Sequence, residues 1–238
     1  MAKEKILSEG KCVYCSETLK KVGISKHLDG HLKQSADEKP QRDRAFHVRV
    51  EADAYFLNLL IDADAPLDYL DDFLRAIWLE CCGHMSSFMD KSKTYDVDWD
   101  DENGVIGEDK SKPVKDVFKV GQELKYEHDF GSTTELNVKI LAEYQLSVRD
   151  GIKLLARNEP LKLLCVMCRE KSAKVICSVC GWGAEAVFCA DCGKKHAKEC
   201  PDFADYSKMK LVNSPRAGVC AYEGGQIDKK RDGIWKAS

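Results

Sequence analysis

Long apolar runs are missing from this 238-residue chain. No stretch approaches the ~18 consecutive apolar residues that a membrane-spanning helix requires, so no helical membrane span is expected. The opening residues, Met1 to Gly10, are polar and lack the apolar centre of a secretory signal, and a cytoplasmic location is expected. No hydrolase, kinase or dinucleotide-binding motif occurs, which leaves an enzymatic reading without a sequence signature. Charge of one sign is also lacking: the net value is −3, with 44% apolar and 32% charged residues. That balance belongs to a globular protein rather than to a disordered one. The length suits one medium domain with one or two small modules.

The small net charge hides a division. Residues 1–44 carry 10 basic and 7 acidic side chains, residues 45–160 carry 13 and 24, and residues 161–238 carry 14 and 9. Two basic ends flank an acidic middle, and each can face either an anionic partner or that middle.

Cysteine is abundant, with twelve in the chain. Nine fall into short motifs beside His27, His31 and His196, a pattern that points to metal rather than to disulfides in a reducing compartment. Cys12 and Cys15 form a C-x2-C knuckle. After eleven residues come His27 and His31, one helical turn apart, so that both imidazoles point the same way. Four such donors close a tetrahedral zinc site. Residues 1–36 resemble a two-Cys, two-His zinc finger whose spacing between the pairs is one residue short of the usual twelve. Lys20, Lys21, Lys26 and Lys33 are candidate phosphate contacts, or simply a solvated face. Residues 37–44 are expected to be a linker.

From Ala45 the pattern becomes that of an α+β domain, a mainly antiparallel sheet with a packed helix. Phe46, Val48 and Val50 alternate with His47, Arg49 and Glu51, and Tyr55 to Ile61 is a nearly continuous apolar strand. Pro66 opens a helix with the stripe Leu67, Leu70, Leu74, Ile77 and Cys81, which Gly83 ends. Leu124, Tyr126, His128 and Phe130, then Leu136, Val138 and Ile140, form a hairpin around Gly131. Asp96, Asp98 and Asp100 begin like a calcium loop, but Asp101 and Gly107 stand at its glycine and glutamate positions, so a solvated acidic loop is expected.

Three pieces carry a resemblance: His84-Met85-Ser86-Ser87-Phe88; Tyr126 to Leu136, with Asp129-Phe130-Gly131; and Asn213 to Tyr222, with Pro215, Arg216, Gly218 and Cys220. Together they resemble the plasmid pRiA4b ORF-three-like family. The resemblance implies the α+β fold for residues 45–160 and for a closing segment at 205–225, and an association with mobile elements, without an established chemistry. Ser132, Thr134 and Leu136 depart from the family's commoner Asp, Trp and His. The candidate functional surface of this core is His84, Asp129, Gly131, Pro215, Arg216 and Cys220. Cys81, Cys82, His84, Asp129 and Cys220 are the reactive types left over, and their spacing demands neither a nucleophile pair nor another metal site. Cys81, on the apolar stripe, reads as a small core residue.

Residues 161–204 are expected to be an inserted double zinc module. Cys165, Cys168, Cys177, Cys180, Cys189 and Cys192 form three evenly spaced C-x2-C knuckles, followed by His196 and Cys200. Eight donors suffice for two tetrahedral sites. In a cross-brace, Cys165, Cys168, Cys189 and Cys192 share one ion, and Cys177, Cys180, His196 and Cys200 the other; the alternative joins neighbours along the chain. The donor order resembles MYND-type fingers. Lys194 and Lys195 are further candidate phosphate contacts, and residues 226–238, with Trp235, read as a loosely held tail.

The expected whole is a protein with three Zn2+ and no other small-molecule cofactor, acting as a binding or adaptor protein for nucleic acid or a protein partner. The alternatives are an enzyme working near His84, Asp129 and Cys220, and a structural or regulatory protein whose fingers only stabilise the fold.

Overall fold

The computed structural model describes residues 6–38, 42–96, 106–181 and 183–229. Asp98, Asp100, Asp101 and Trp235 lie outside the described residues. Among the described residues no helix is long and apolar enough to cross a membrane.

The strands are β1 (Glu9–Lys11), β2 (Thr18–Lys20), β3 (Ala45–Ala52), β4 (Tyr55–Asp62), β5 (Ser86–Met89), β6 (Lys93–Tyr95), β7 (Ile106–Glu108), β8 (Glu123–His128), β9 (Thr134–Tyr144), β10 (Ile152–Arg157), β11 (Val175–Cys177), β12 (Val187–Phe188) and β13 (Lys208–Lys210). The helices are α1 (Lys21–Glu38), α2 (Leu67–Leu74), α3 (Val114–Val117), α4 (Ala190–Glu199) and α5 (Gln226–Lys229). The fold is α+β. An eight-stranded sheet runs in the order β10-β4-β3-β9-β8-β5-β6-β7. Its pairs are antiparallel except β6–β7. β8 and β9 are the expected hairpin, with Glu123 opposite Lys139 and His128 opposite Thr134.

Both faces of the sheet are covered, which explains the nearly continuous apolar run in β4, interrupted by Asn58. On one face Val48, Val50, Leu57, Leu59, Ile61, Val138 and Ile140 pack with Leu67, Leu70 and Leu74 of α2. On the other, Ala45, Phe56, Leu60, Tyr144 and Leu155 pack with Ile24, Leu28 and Leu32 of α1. The finger is therefore part of the main fold. Its β1 lies along β10: the Val13 amide donates to Leu155 O (3.0 Å) and the Glu159 amide to Glu9 O (2.7 Å). Gly10 permits this approach, since a Cβ there would lie 2.7 Å from Phe56 Cζ and 2.8 Å from Arg157 O.

Several expected boundaries move. The linker at 37–44 begins inside α1, whose helix continues to Glu38. The inserted module extends past residue 204, because β13 joins β11 and β12 in one three-stranded sheet. The tail is not loose at its start: α5 is helical and Ile227 packs against the main core. Cys81 is only partly buried, at the edge of a small cluster of Val212, Ala217 and Tyr222 rather than in the main core. After Leu74 the helix widens into a π turn over Arg75–Leu79, closed by the Glu80 amide on Arg75 O (2.9 Å). The wider turn ends the apolar stripe at Ile77 to Leu79 and carries Cys81 beyond the helix, half-exposed.

Candidate metal centres

The local turns hold each donor pair, and the fold then brings pairs together. Among the described residues four Cys/His clusters are positioned for metal binding, each with its four donor atoms within 4.8 Å of one another. In the finger, Cys12 is buried and its knuckle closes through the Ser16 amide on Cys12 O (2.9 Å), with Ser16 at φ 63°. Cys15 Sγ lies 3.2 Å from His27 Nε2, and His27 Nε2 lies 3.2 Å from His31 Nε2.

In the inserted module the grouping is interleaved. Cys165, Cys168, Cys189 and Cys192 form one set, and Cys177, Cys180, His196 and Cys200 the other. Cys189 caps the N-terminus of α4, its sulfur accepting from the Cys192 amide. Burial pushes the Cys165 thiol up, but the amides of Cys168, Cys189 and Met167 outweigh it and bring the thiol down to about 6, toward the thiolate a metal needs. In the second set Cys180 Sγ is 3.5 Å from His196 Nε2 and 3.7 Å from Cys200 Sγ. Phe188 stacks on His196 at 4.2 Å, and Phe203 meets it edge-on at 4.9 Å, which fixes the imidazole.

The fourth cluster lies on the core. Cys81, Cys82, His84 and Cys220 converge there, from the end of the α2 region and from the closing segment. His84 Nε2 is 3.0 Å from Cys82 Sγ and 3.3 Å from Cys220 Sγ. Arg216, fully buried, ties the closing segment to the β8–β9 turn: it donates to Asp129 Oδ2 (2.6 Å), Thr134 Oγ1 (3.0 Å) and Ser132 O (3.1 Å). Its guanidinium holds the Asp129 carboxyl down to about 2. Asp129 Oδ1 accepts from the amides of Gly131 and Ser132, shaping the turn. Pro215 is not in this group. It lines a separate cavity of about 150 Å³ with Tyr55, Leu161 and Leu163, between core and module. His84 Nε2 also faces Asp129 Oδ2 at 3.4 Å. A nucleophile–imidazole–carboxylate relay uses two different ring nitrogens, and here thiols and carboxylate face the same one.

Of the candidate phosphate contacts, Lys20, Lys26, Lys33, Lys194 and Lys195 are exposed. Lys33 pairs with Asp29 (2.8 Å). Lys21 is engaged within the fold, donating to Asp53 O (2.6 Å) and pairing with Glu51 (3.0 Å). Spacing alone did not single out the fourth cluster, because Cys220 stands 138 residues from Cys82. The short Cys81-Cys82-x-His84 motif was its one local signal. A buried polar network of Asp71, Ser86, Lys110 and Tyr126 left no sequence signal at all.

No family model matches the chain, and no curated protein matches it. Among solved structures, the crystal structure of a protein of unknown function from Methanosarcina mazei Go1 is similar over 48% of this chain and 69% of that one, at 12% identity and a TM-score of 0.41.

Proposed function

We propose that this chain is a zinc-binding, non-enzymatic binding protein: a pRiA4b-like core carrying a finger and an inserted double module, with three Zn2+ in those two modules. The donor chemistry supports the metal. The module offers one set of four cysteines and one of three cysteines with a histidine, and the finger offers two cysteines with two histidines. Such donor sets match the preferences of zinc, and four protein donors leave no open position for a substrate water. The core's likeness to the pRiA4b family carries with it the association with mobile elements.

The observation that favours a protein partner is the apolar character of the module's knuckles. Val166 and Met167 between Cys165 and Cys168, and Val179 between Cys177 and Cys180, are exposed, as are Leu164 and Tyr206 of the same module. Exposed apolar side chains gathered on so small a unit suit docking to another protein. Nucleic acid is the second reading: Lys20, Lys26, Lys194 and Lys195 are exposed, whereas Lys21 is already paired within the fold. An enzyme acting near His84, Asp129 and Cys220 is weaker still, since one imidazole nitrogen faces both thiols and carboxylate.

The test compares the intact chain with two variants, Met167→Glu with Val179→Glu, and Lys20→Glu with Lys26→Glu, Lys194→Glu and Lys195→Glu. Protein capture that persists at high salt and disappears in the apolar variant, with its metal content unchanged, is expected. Binding to nucleic acid that falls steeply with salt and disappears in the lysine variant would overturn the protein reading.

A further inference from the structure

Three of the four clusters belong to the finger and the inserted module. The remaining one joins the core to the stretch of chain that returns to it after the module. From this geometry we infer that Cys81, Cys82, His84 and Cys220 form a fourth zinc site, which staples the closing segment to the end of the α2 region.

The sulfur spacing fits a single ion, with the imidazole drawn in closer than the ideal. Zinc bonds to sulfur at ~2.3 Å and to nitrogen at ~2.0–2.1 Å, so a tetrahedron places its sulfurs about 3.8 Å apart and sulfur and nitrogen about 3.6 Å apart. Here Cys81 Sγ and Cys82 Sγ are 3.7 Å apart, and Cys82 Sγ and Cys220 Sγ 3.5 Å. His84 Nε2 stands 3.0 and 3.3 Å from two of the sulfurs. The second module set repeats the sulfur spacing at 3.7 Å, with sulfur to nitrogen at 3.5 Å, and the finger repeats the closer sulfur–nitrogen approach at 3.2 Å.

The backbone around the donors is bent to serve the site. Gly83, at φ 79°, turns the chain so that His84 comes back toward the sulfur of Cys82. Cys220 and Ala221 both adopt the left-handed region, at φ 50° and 52°. Two successive non-glycine residues in that region are strained, and strain persists only where surrounding interactions hold it. A bond from Cys220 to an ion is such an interaction. Arg216 Nη2 lies 3.6 Å from Cys81 Sγ, an outer hydrogen bond of the kind that orients a metal ligand. The neighbouring contacts support the same anchorage: Ser214 Oγ donates to Trp78 O (2.7 Å), and Gly225 sits where a Cβ would lie 2.2 Å from Ala76 O.

The test uses the full chain purified without added metal, with ions counted by native mass spectrometry and thiols mapped with N-ethylmaleimide before and after chelation. Four zinc ions are expected, with Cys81, Cys82 and Cys220 protected until the chelator is added. His84→Ala and Cys220→Ser should each carry one ion fewer and label at Cys81 and Cys82. Should those variants fail to fold, the labelling of the unaltered chain decides. Three ions with Cys81, Cys82 and Cys220 labelled at once would overturn the fourth site and leave the finger and module sites standing. Four ions with those thiols free would overturn it as well. Fewer than three ions, with those thiols still protected until chelation, would support the fourth site and count against the modules instead.

Discussion

His47 shows how a single residue ties the finger to the sheet. Its place in β3 alternates with apolar residues, as a solvent-facing position would, yet it is buried because α1 covers that face. Its Nε2 is 2.9 Å from Asn58 Oδ1, which also accepts from Ser25 Oγ of α1 (2.8 Å). Burial disfavours the imidazolium and lowers the His47 pKa below its ordinary 6.5. The folded protein therefore holds His47 neutral, and nothing is lost while the pH stays above 6.5. As the pH falls below 6.5, the unfolded chain takes up a proton that the folded one refuses, and stability declines until the lowered folded value is passed. With zinc in excess, the His47 ring resonances should titrate below 6.5. A midpoint at or above 6.5 would contradict the account.

At the scale of elements, Asp71 is the point where α2, β5 and β8 meet. Its buried carboxylate accepts from Tyr126 Oη (2.6 Å), Ser86 Oγ (2.8 Å), Lys110 Nζ (2.9 Å) and Arg75 Nε (3.2 Å). Burial raises the Asp71 pKa, but these donors outweigh it, and the net shift is downward. Asp71→Asn would leave Lys110 buried without its counter-charge, because among the described residues Lys110 Nζ otherwise bonds to Ser86. Breaking a buried pair from one side costs about 3–5 kcal/mol. Urea unfolding of the variant should show a loss of that size, and a loss under about 1 kcal/mol would mean that water reaches the network. Little of this could be read in advance: Asp71 looks like a favourable charge in the first turns of a helix, and Lys110 lies 39 residues away. The π turn is a similar case. Periodicity carried the stripe from Leu67 to Cys81, whereas the wider turn stops it short and frees Cys81 for the cluster.

At the scale of the whole molecule, the finger and the sheet share one core. Leu28 and Leu32 are fully buried against Phe56, Leu60 and Leu155 rather than within a separate finger. Leu28→Ala should therefore lower global stability by about 2–5 kcal/mol. Hydrogen exchange in β3 and β4 should quicken with it. Unchanged protection in those strands would show the finger to be an appendage. The sequence divides the chain into finger, linker, core, insertion and tail. The structure makes the finger a covering layer, extends the insertion through Lys210, and ties the closing segment to the core through Ser214, Arg216 and Ile227 while Leu211 still packs on the module.

Legible along the chain is what lies within a few residues: the C-x2-C knuckles, the helical spacing of His27 and His31 and of His196 and Cys200, the strands β3 and β4, the β8–β9 hairpin, and the α2 start after Pro66. These follow from bond geometry and the two side-chain periods, which act over a turn or a strand. Tertiary contacts set which knuckles come together, that α1 closes the second face of the sheet, and that Cys220 meets Cys82 and His84. Those outcomes join segments far apart along the chain, and nothing local records them. They depend on how apolar faces are buried and on what that burial carries into contact.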